Sequence, residues 1–138
     1  MLGRIHHVAY VVADLDAALE RLGRSFDLSP AVREVMHEQG VEAVLCGPDG
    51  GAVELIRPLD PDGAIARFLE SRGEGLHHVA FEVGDLDATL AELRGRGAEL
   101  IDERPRPGLG GHLVAFVHPR SANGVLTELV QAGPSLGG

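Results

Sequence analysis

The sequence predicts an α+β domain made of two pseudo-symmetric βαβββ modules, and three observations carry that reading. The stretch IHHVAYVVADLDAALERL at 5–22 recurs as LHHVAFEVGDLDATLAEL at 76–93. With His7 set on His78, the copies agree at 11 of 17 places between positions 6 and 22, more than amphipathic patterning alone produces. The chain has 138 residues. That length supports one sizeable core, whereas two independent domains would each stand near the lower limit of stability. The copies are therefore read as halves of a single domain over 1–138, with module one at about 4–58, a helical linker at about 61–73 and module two at about 75–131.

Each copy opens with period-2 alternation. His6, Val8, Tyr10 and Val12 share one face and His7, Ala9 and Val11 the other; in the second copy His77, Val79, Phe81 and Val83 oppose His78, Ala80 and Glu82. The bulky apolar face should pack on a helix, so His7 and His78 point away from it, while His6 and His77 are expected in the core. An aspartate follows each strand, Asp14 or Asp85, placed to cap a helix. Helical spacing then runs through Leu15, Leu19, Leu22 and Phe26, and through Leu86, Leu90 and Leu93, with Gly23, Gly95 and Gly97 as stops. Further strands are expected at 31–37, 41–46 and 52–57, with GPDGG as a turn, and at 98–103, 112–117 and 124–130. The linker should bury Ile65, Phe68 and Leu69, and the terminal PSLGG should fray.

Composition narrows the function. The net charge is −9, which opposes binding of nucleic acid through its phosphates. All 12 basic residues are arginine, so Schiff-base chemistry and a Walker-type phosphate loop are excluded. No apolar run approaches the roughly 20 residues that span a bilayer, and MLGRIHH lacks the apolar core of a secretory signal, so a cytoplasmic protein without membrane association is expected. Cys46, the one cysteine, is read as a small buried residue.

Each half also ends on an apolar run interrupted by a glutamate, AVELI around Glu54 and LTELV around Glu128. A carboxylate there is expensive to bury without a partner or a cation. The order His then Glu recurs, His7 to Glu54 across 47 residues and His78 to Glu128 across 50. Under pseudo-twofold symmetry each half contributes one imidazole and one carboxylate to a central site, a donor set that suits a divalent ion. The donors alone do not choose among Co, Mn, Ni, Fe, Zn and Mg.

With these residues in place the chain resembles the vicinal oxygen chelate superfamily, whose paired βαβββ modules form a cupped mixed sheet around a divalent metal, and within it the methylmalonyl-CoA epimerase family. The likeness is carried by HEQGV at 37–41, VELIRPL at 53–59, IARFLESRGEGLHHVAFEV at 65–83 and FVHPRSANGVLTELV at 116–130. It implies His7, Glu54, His78 and Glu128 as metal ligands, with Gln standing for Glu54 in some members, and one divalent ion per chain, Co2+ before Mn2+, Ni2+, Zn2+ or Mg2+. It implies an acyl-CoA substrate, a homodimer, and an isomerase that interconverts the 2R and 2S forms of methylmalonyl-CoA in propionate or branched-chain metabolism or in supply of polyketide extender units. The C2 proton leaves to form an enolate stabilised by the ion, and Glu128 is the first candidate base.

One departure from the family stands out. Some members carry a second acid three residues after the Gly of the Gln-Gly-Val motif, where this chain has Ala43. The second proton carrier is then open among His112, Glu82, Glu42 and a metal-bound water, although alternation points Glu42 to the other face. RPRPGLGGH at 104–112 is read as a strand connection or as a loop over the thioester, with Arg104, Arg106 and the backbone of Gly110 and Gly111 as substrate contacts. His118 is read as a turn element. Competing readings are a glyoxalase I-type lyase acting on a thiol hemithioacetal, an extradiol dioxygenase, for which one of the two acids would be superfluous, and a metal-free binder that sequesters drugs.

Overall fold

The computed structural model describes residues 1–48 and 52–131. The chain divides into two compact units, His7–His77 and Met1–His6 with His78–Gly138, and the divisions fall inside the two repeated His-His pairs. The first unit runs β1 (Ile5–Val11), α1 (Leu15–Phe26), β2 (Pro30–Met36), β3 (Val41–Cys46), β4 (Val53–Pro58) and α2 (Ala64–Arg72). The second runs β5 (Gly75–Glu82), α3 (Leu86–Gly95), β6 (Arg106–Pro107), β7 (Leu113–Val117) and β8 (Thr127–Gln131). Each unit is thus βαβββ, as the repeat predicts.

The sheet order is β2-β3-β4-β1 in the first unit and β5-β8-β7-β6 in the second. In both, the opening strand pairs in parallel with the closing one and every other pairing is antiparallel. The registers repeat as well: Ala9 lies opposite Glu54, and Ala80 opposite Glu128. One face of each sheet takes a helix. Leu15, Val12, Val44, Cys46 and Leu55 are buried together under α1, and Leu86, Leu90, Val83, Ala115, Val117 and Leu129 under α3. Full burial of a Leu or Val stabilises by about 1.5–3 kcal/mol relative to exposure, so these clusters commit the helix-facing side of each sheet. Both caps form, Asp14 accepting the Ala17 N–H and Asp85 the Ala88 N–H at 3.0 Å. Cys46 is fully buried, and burial pushes its thiol pKa up. Among the described residues no helix is long and apolar enough to cross a membrane.

Several expectations change. Helix α1 does not stop at Gly23 but runs to Phe26 and ends on Asp27 at φ 58°, whose N–H bonds the Gly23 carbonyl. Phe26, expected on the buried stripe, is 70% exposed because it occupies that last position. No strand forms over 98–103. Ile101 and Asp102 both donate to the Phe116 carbonyl, the Asp102 side chain takes the Phe116 N–H at 2.8 Å, and only Leu100 keeps a ladder bridge, to Val117. Pro105 and Pro107 lack the N–H a regular edge strand would use, and the two-residue β6 is what remains. The last strand starts at Thr127 rather than 124, because Gly124 closes a turn onto the Pro119 carbonyl.

Helix α2 has no buried residue; Ile65, Phe68 and Leu69 form its half-buried side. His6 and His77 are half-buried rather than core. The His77 ring meets Phe68 edge-on at 5.1 Å and the His6 ring meets His112 at 5.3 Å. Residues 49–51 of the GPDGG turn and the PSLGG tail lie outside the described residues.

Candidate metal centre

The unit-by-unit geometry begins from the alternation in β1 and β5. His7 stands two residues before Ala9, and Ala9 faces Glu54 on β4, so imidazole and carboxylate emerge on the face away from α1. Their Nε2 and Oε1 atoms are 3.3 Å apart and both side chains are buried. In the second unit His78 stands two residues before Ala80, which faces Glu128 on β8. There the Nε2–Oε1 distance is 3.2 Å, and both groups are again buried.

The spacing bears on what these pairs can hold. A charge-assisted N–H···O bond settles at about 2.7–2.9 Å. Two donors bonded to one ion at about 2.1 Å lie about 3.0 Å apart at a right angle and about 3.4 Å apart at the tetrahedral angle. Both pairs fall in the second range. Neutral imidazole and carboxylate are hard-to-borderline donors suited to divalent first-row ions, and His7, Glu54, His78 and Glu128 are buried groups that could hold a metal ion. The donor set therefore fits.

The surroundings of the two pairs differ. Glu54 lies opposite Leu45 on β3, whereas Glu128 lies opposite Phe116 on β7. The Phe116 ring stands edge-on to the His78 imidazole at 5.2 Å, and the Arg106 guanidinium sits over the same ring at 5.5 Å. Arg106 is opposite Val114, two residues before Phe116, and so shares its face. Its Nε is 3.4 Å from an oxygen of Asp102. Phe116 and Asp102 were not singled out from the sequence. Only four Phe and one Tyr occur in the chain, so an aromatic inside a strand was an available signal for Phe116; nothing local marks Asp102.

The remaining sequence candidates separate. Ala43 is buried on β3 opposite Glu34 and Ile56, on the face that carries Glu54. Glu42 lies on the α1 face, where Arg33 and Arg57 each donate to its carboxylate at 3.0 Å. The bond from Arg33, then that from Arg57, holds it below the usual carboxylate range. Glu82 shares the face of His78 and accepts from Arg4 at 2.8 Å. His112 precedes β7 in extended conformation, and its ring meets that of His6 at 5.3 Å.

Arg104 is exposed. Gly110 and Gly111 have φ of 75° and 80°, a left-handed run that glycine tolerates, in a loop closed by the Gly108 N–H on the His112 carbonyl at 2.8 Å. Gly108 itself admits no side chain, since a Cβ there would stand 2.6 Å from Val114. His118 is a turn element as expected, its Nδ1 accepting the Arg120 N–H at 2.9 Å.

The chain is similar to known proteins in both sequence and fold. The family model described as the Glyoxalase/Bleomycin resistance protein/Dioxygenase superfamily matches residues 6–116. The ethylmalonyl-CoA/methylmalonyl-CoA epimerase of Cereibacter sphaeroides is 34% identical over 133 residues, covering 95% of this chain and 99% of its own. The crystal structure of methylmalonyl-CoA epimerase from Mycobacterium tuberculosis superposes with a TM-score of 0.91 at 37% identity, over 99% of this chain and 92% of that one. A variant of the Streptomyces coelicolor methylmalonyl-CoA epimerase in complex with 2-nitronate-propionyl-CoA gives 0.90 at 36% identity, over 97% and 100%.

Proposed function

The chain belongs to the glyoxalase/bleomycin resistance protein/dioxygenase superfamily, and within it we propose that the protein is a metal-dependent methylmalonyl-CoA epimerase acting at C2 of the acyl group. The observation that carries this reading is the pair of buried His–Glu couples, 3.3 and 3.2 Å, set on identical registers in a chain about a third identical to named epimerases of this substrate class. His7, Glu54, His78 and Glu128 hold one divalent ion, Co2+ before Mn2+, Ni2+, Zn2+ or Mg2+. When bound, the ion supplies Lewis-acid stabilisation of the charge that develops on the thioester oxygen, worth several kcal/mol.

The chain's own residues do the rest. C2 lies between a thioester carbonyl and a carboxylate, so loss of its proton gives a planar enolate. Glu128 takes that proton through a carboxylate oxygen, and a positioned base of this kind contributes about 10²–10⁴ in rate. Inversion requires the proton to return on the opposite face. Glu42 is tied to two arginines on the α1 side and Glu82 to Arg4, which leaves His112 as the side-chain candidate. Arg104, Arg106 and the backbone of Gly110 and Gly111 are the proposed substrate contacts. We read the protein as a cytoplasmic homodimer serving propionate metabolism, on the family resemblance.

The test is proton NMR of methylmalonyl-CoA in D2O with metal-loaded protein. The expected result is loss of the C2 proton signal well above the enzyme-free rate, abolished by chelation and by Glu128→Ala. Washout at the enzyme-free rate with metal bound would remove the epimerase reading and direct the search to hemithioacetal substrates.

A further inference from the structure

The two units repeat their sheets row by row, and one row breaks the repeat in charge. Two residues beyond Glu54 on β4 lies Ile56, opposite Ala43 on β3, which is opposite Glu34 on β2. Two residues beyond Glu128 on β8 lies Val130, opposite Val114 on β7, which is opposite Arg106 on β6. Glu34 and Arg106 thus occupy equivalent edge positions on equivalent faces. The first unit places an anion there and the second a cation.

Arg106 is also held, which a surface arginine ordinarily is not. Its guanidinium lies over Phe116, the ring that abuts His78. Its Nε faces Asp102, and the same Asp102 oxygen is anchored by the Phe116 N–H at 2.8 Å. Pro105 and Pro107 flank it, each fixing its own φ. At 3.4 Å the contact with Asp102 is long for a charge-assisted bond, and the buried Nε of Arg106 makes no hydrogen bond among the described residues. The side chain keeps 37% exposure, so this planar fork is both oriented and open. Such a fork matches a carboxylate or phosphate with two parallel bonds, and stacking limits the rotamer entropy lost when they form.

We propose that Arg106 is a pre-set receptor for an anionic oxygen group of the substrate, a carboxylate or a phosphate, and that Asp102 is a positioning residue which aims it. The inference rests on the acyl-CoA reading above and adds what that reading lacks, a direction. The His–Glu couples are near copies and by themselves give a two-ended substrate no preferred orientation. Arg106, whose matching place in the first unit holds Glu34, makes the second unit the one that meets the anionic group.

Calorimetric binding to the metal-loaded protein tests this without reference to turnover, using three ligands: methylmalonyl-CoA, propionyl-CoA without the carboxylate, and methylmalonyl-pantetheine without the nucleotide phosphates. Arg106→Gln is expected to weaken methylmalonyl-CoA about ten- to hundredfold, the range of a charged hydrogen bond, and Arg106→Lys by less. If the group is the carboxylate, methylmalonyl-pantetheine weakens equally and propionyl-CoA is unchanged. If it is a phosphate, both CoA esters weaken and the pantetheine ester is unchanged. Asp102→Asn keeps an acceptor for the Phe116 N–H while removing the charge, and should reproduce part of the loss, with the double variant no weaker than Arg106→Gln alone.

Binding within twofold of wild type for all three ligands in Arg106→Gln overturns the receptor, and additive losses in the double variant overturn the role of Asp102. Either outcome leaves the epimerase reading standing, since that reading is tested by C2 proton exchange in the wild-type protein. Conversely, Arg106-dependent binding without exchange in the wild-type protein would remove the epimerase reading and keep the receptor.

Discussion

The outer strands are long in the first unit and interrupted in the second. In the first, β2 and β3 pair through six registered positions, and the residue facing Glu54 is Leu45. In the second, β6 is only Arg106–Pro107, a glycine-rich loop leads into β7, and the residue facing Glu128 is Phe116. The His–Glu couples survive this divergence almost unchanged, 3.3 against 3.2 Å. The repeat is therefore retained at the His–Glu couples and lost in the strands beside them. Under the proposed function this division is expected, because an ion makes the same demand on each couple and an acyl-CoA with unlike ends does not.

The sharpest way to break this comparison is to treat the couples as chemically equivalent. Glu128→Gln should lower C2 exchange about 10²–10⁴-fold, whereas Glu54→Gln, which keeps an oxygen donor, should cost no more than about tenfold with metal content near wild type. Equal losses in the two variants, measured by NMR exchange and elemental analysis, would show that the acid–base role is shared and that the asymmetry lies elsewhere.

A smaller effect is expected where the halves do match. Asp14 and Asp85 make the same 3.0 Å cap, so Asp14→Ala and Asp85→Ala should each destabilise by about 1 kcal/mol in urea unfolding. A difference of more than about 1 kcal/mol between them would mean that the two helices are not equivalent parts of the scaffold.

The smallest effect separates the units by acidity. Asp16, Arg33, Glu42 and Arg57 form a network confined to the first unit, with Arg33 bonded to Asp16 at 2.7 Å. The bond from Arg33 lowers the Asp16 pKa, and those from Arg33 and Arg57 lower that of Glu42. A carboxyl depressed in the folded state contributes stability above its unfolded pKa, and that contribution is lost as pH falls toward and through the folded value. Hydrogen exchange of β2 and β3 amides should therefore accelerate below about pH 4 before that of β7 and β8. The surface position keeps the difference modest, and the reverse order would assign the acid-sensitive contacts to the second unit.

Much of this was legible in the chain itself. Period-2 alternation changing to helical spacing after Asp14 and Asp85 located β1, α1, β5 and α3, because those periods follow from backbone geometry alone. The repeated His7/Glu54 and His78/Glu128 spacing located the candidate ligands, because a buried carboxylate in an apolar strand is costly without a counter-charge. Elements that depend on long-range partners were harder to read. The expected strand at 98–103 failed because Asp102 captures the Phe116 N–H, and α1 passed Gly23 because Asp27 supplied the left-handed cap further on. Phe26 and His6 were misjudged for a related reason, since a period assigns a face but not the depth at which that face is covered.

By itself the sequence determined the duplicated βαβββ plan, the two capped helices, His7 and His78 on the faces away from them, and Glu54 and Glu128 as their candidate partners, all consequences of local periodicity and of the cost of burying charge. Tertiary structure alone decided that Glu42 belongs to an arginine network on the α1 side, and that Arg106 lies over Phe116 with Asp102 behind it. It also set Arg106 at the place in the second sheet that Glu34 holds in the first. Strand register between residues far apart in the chain fixes those neighbours, and register is set by the packing of whole strands rather than by any short stretch of residues.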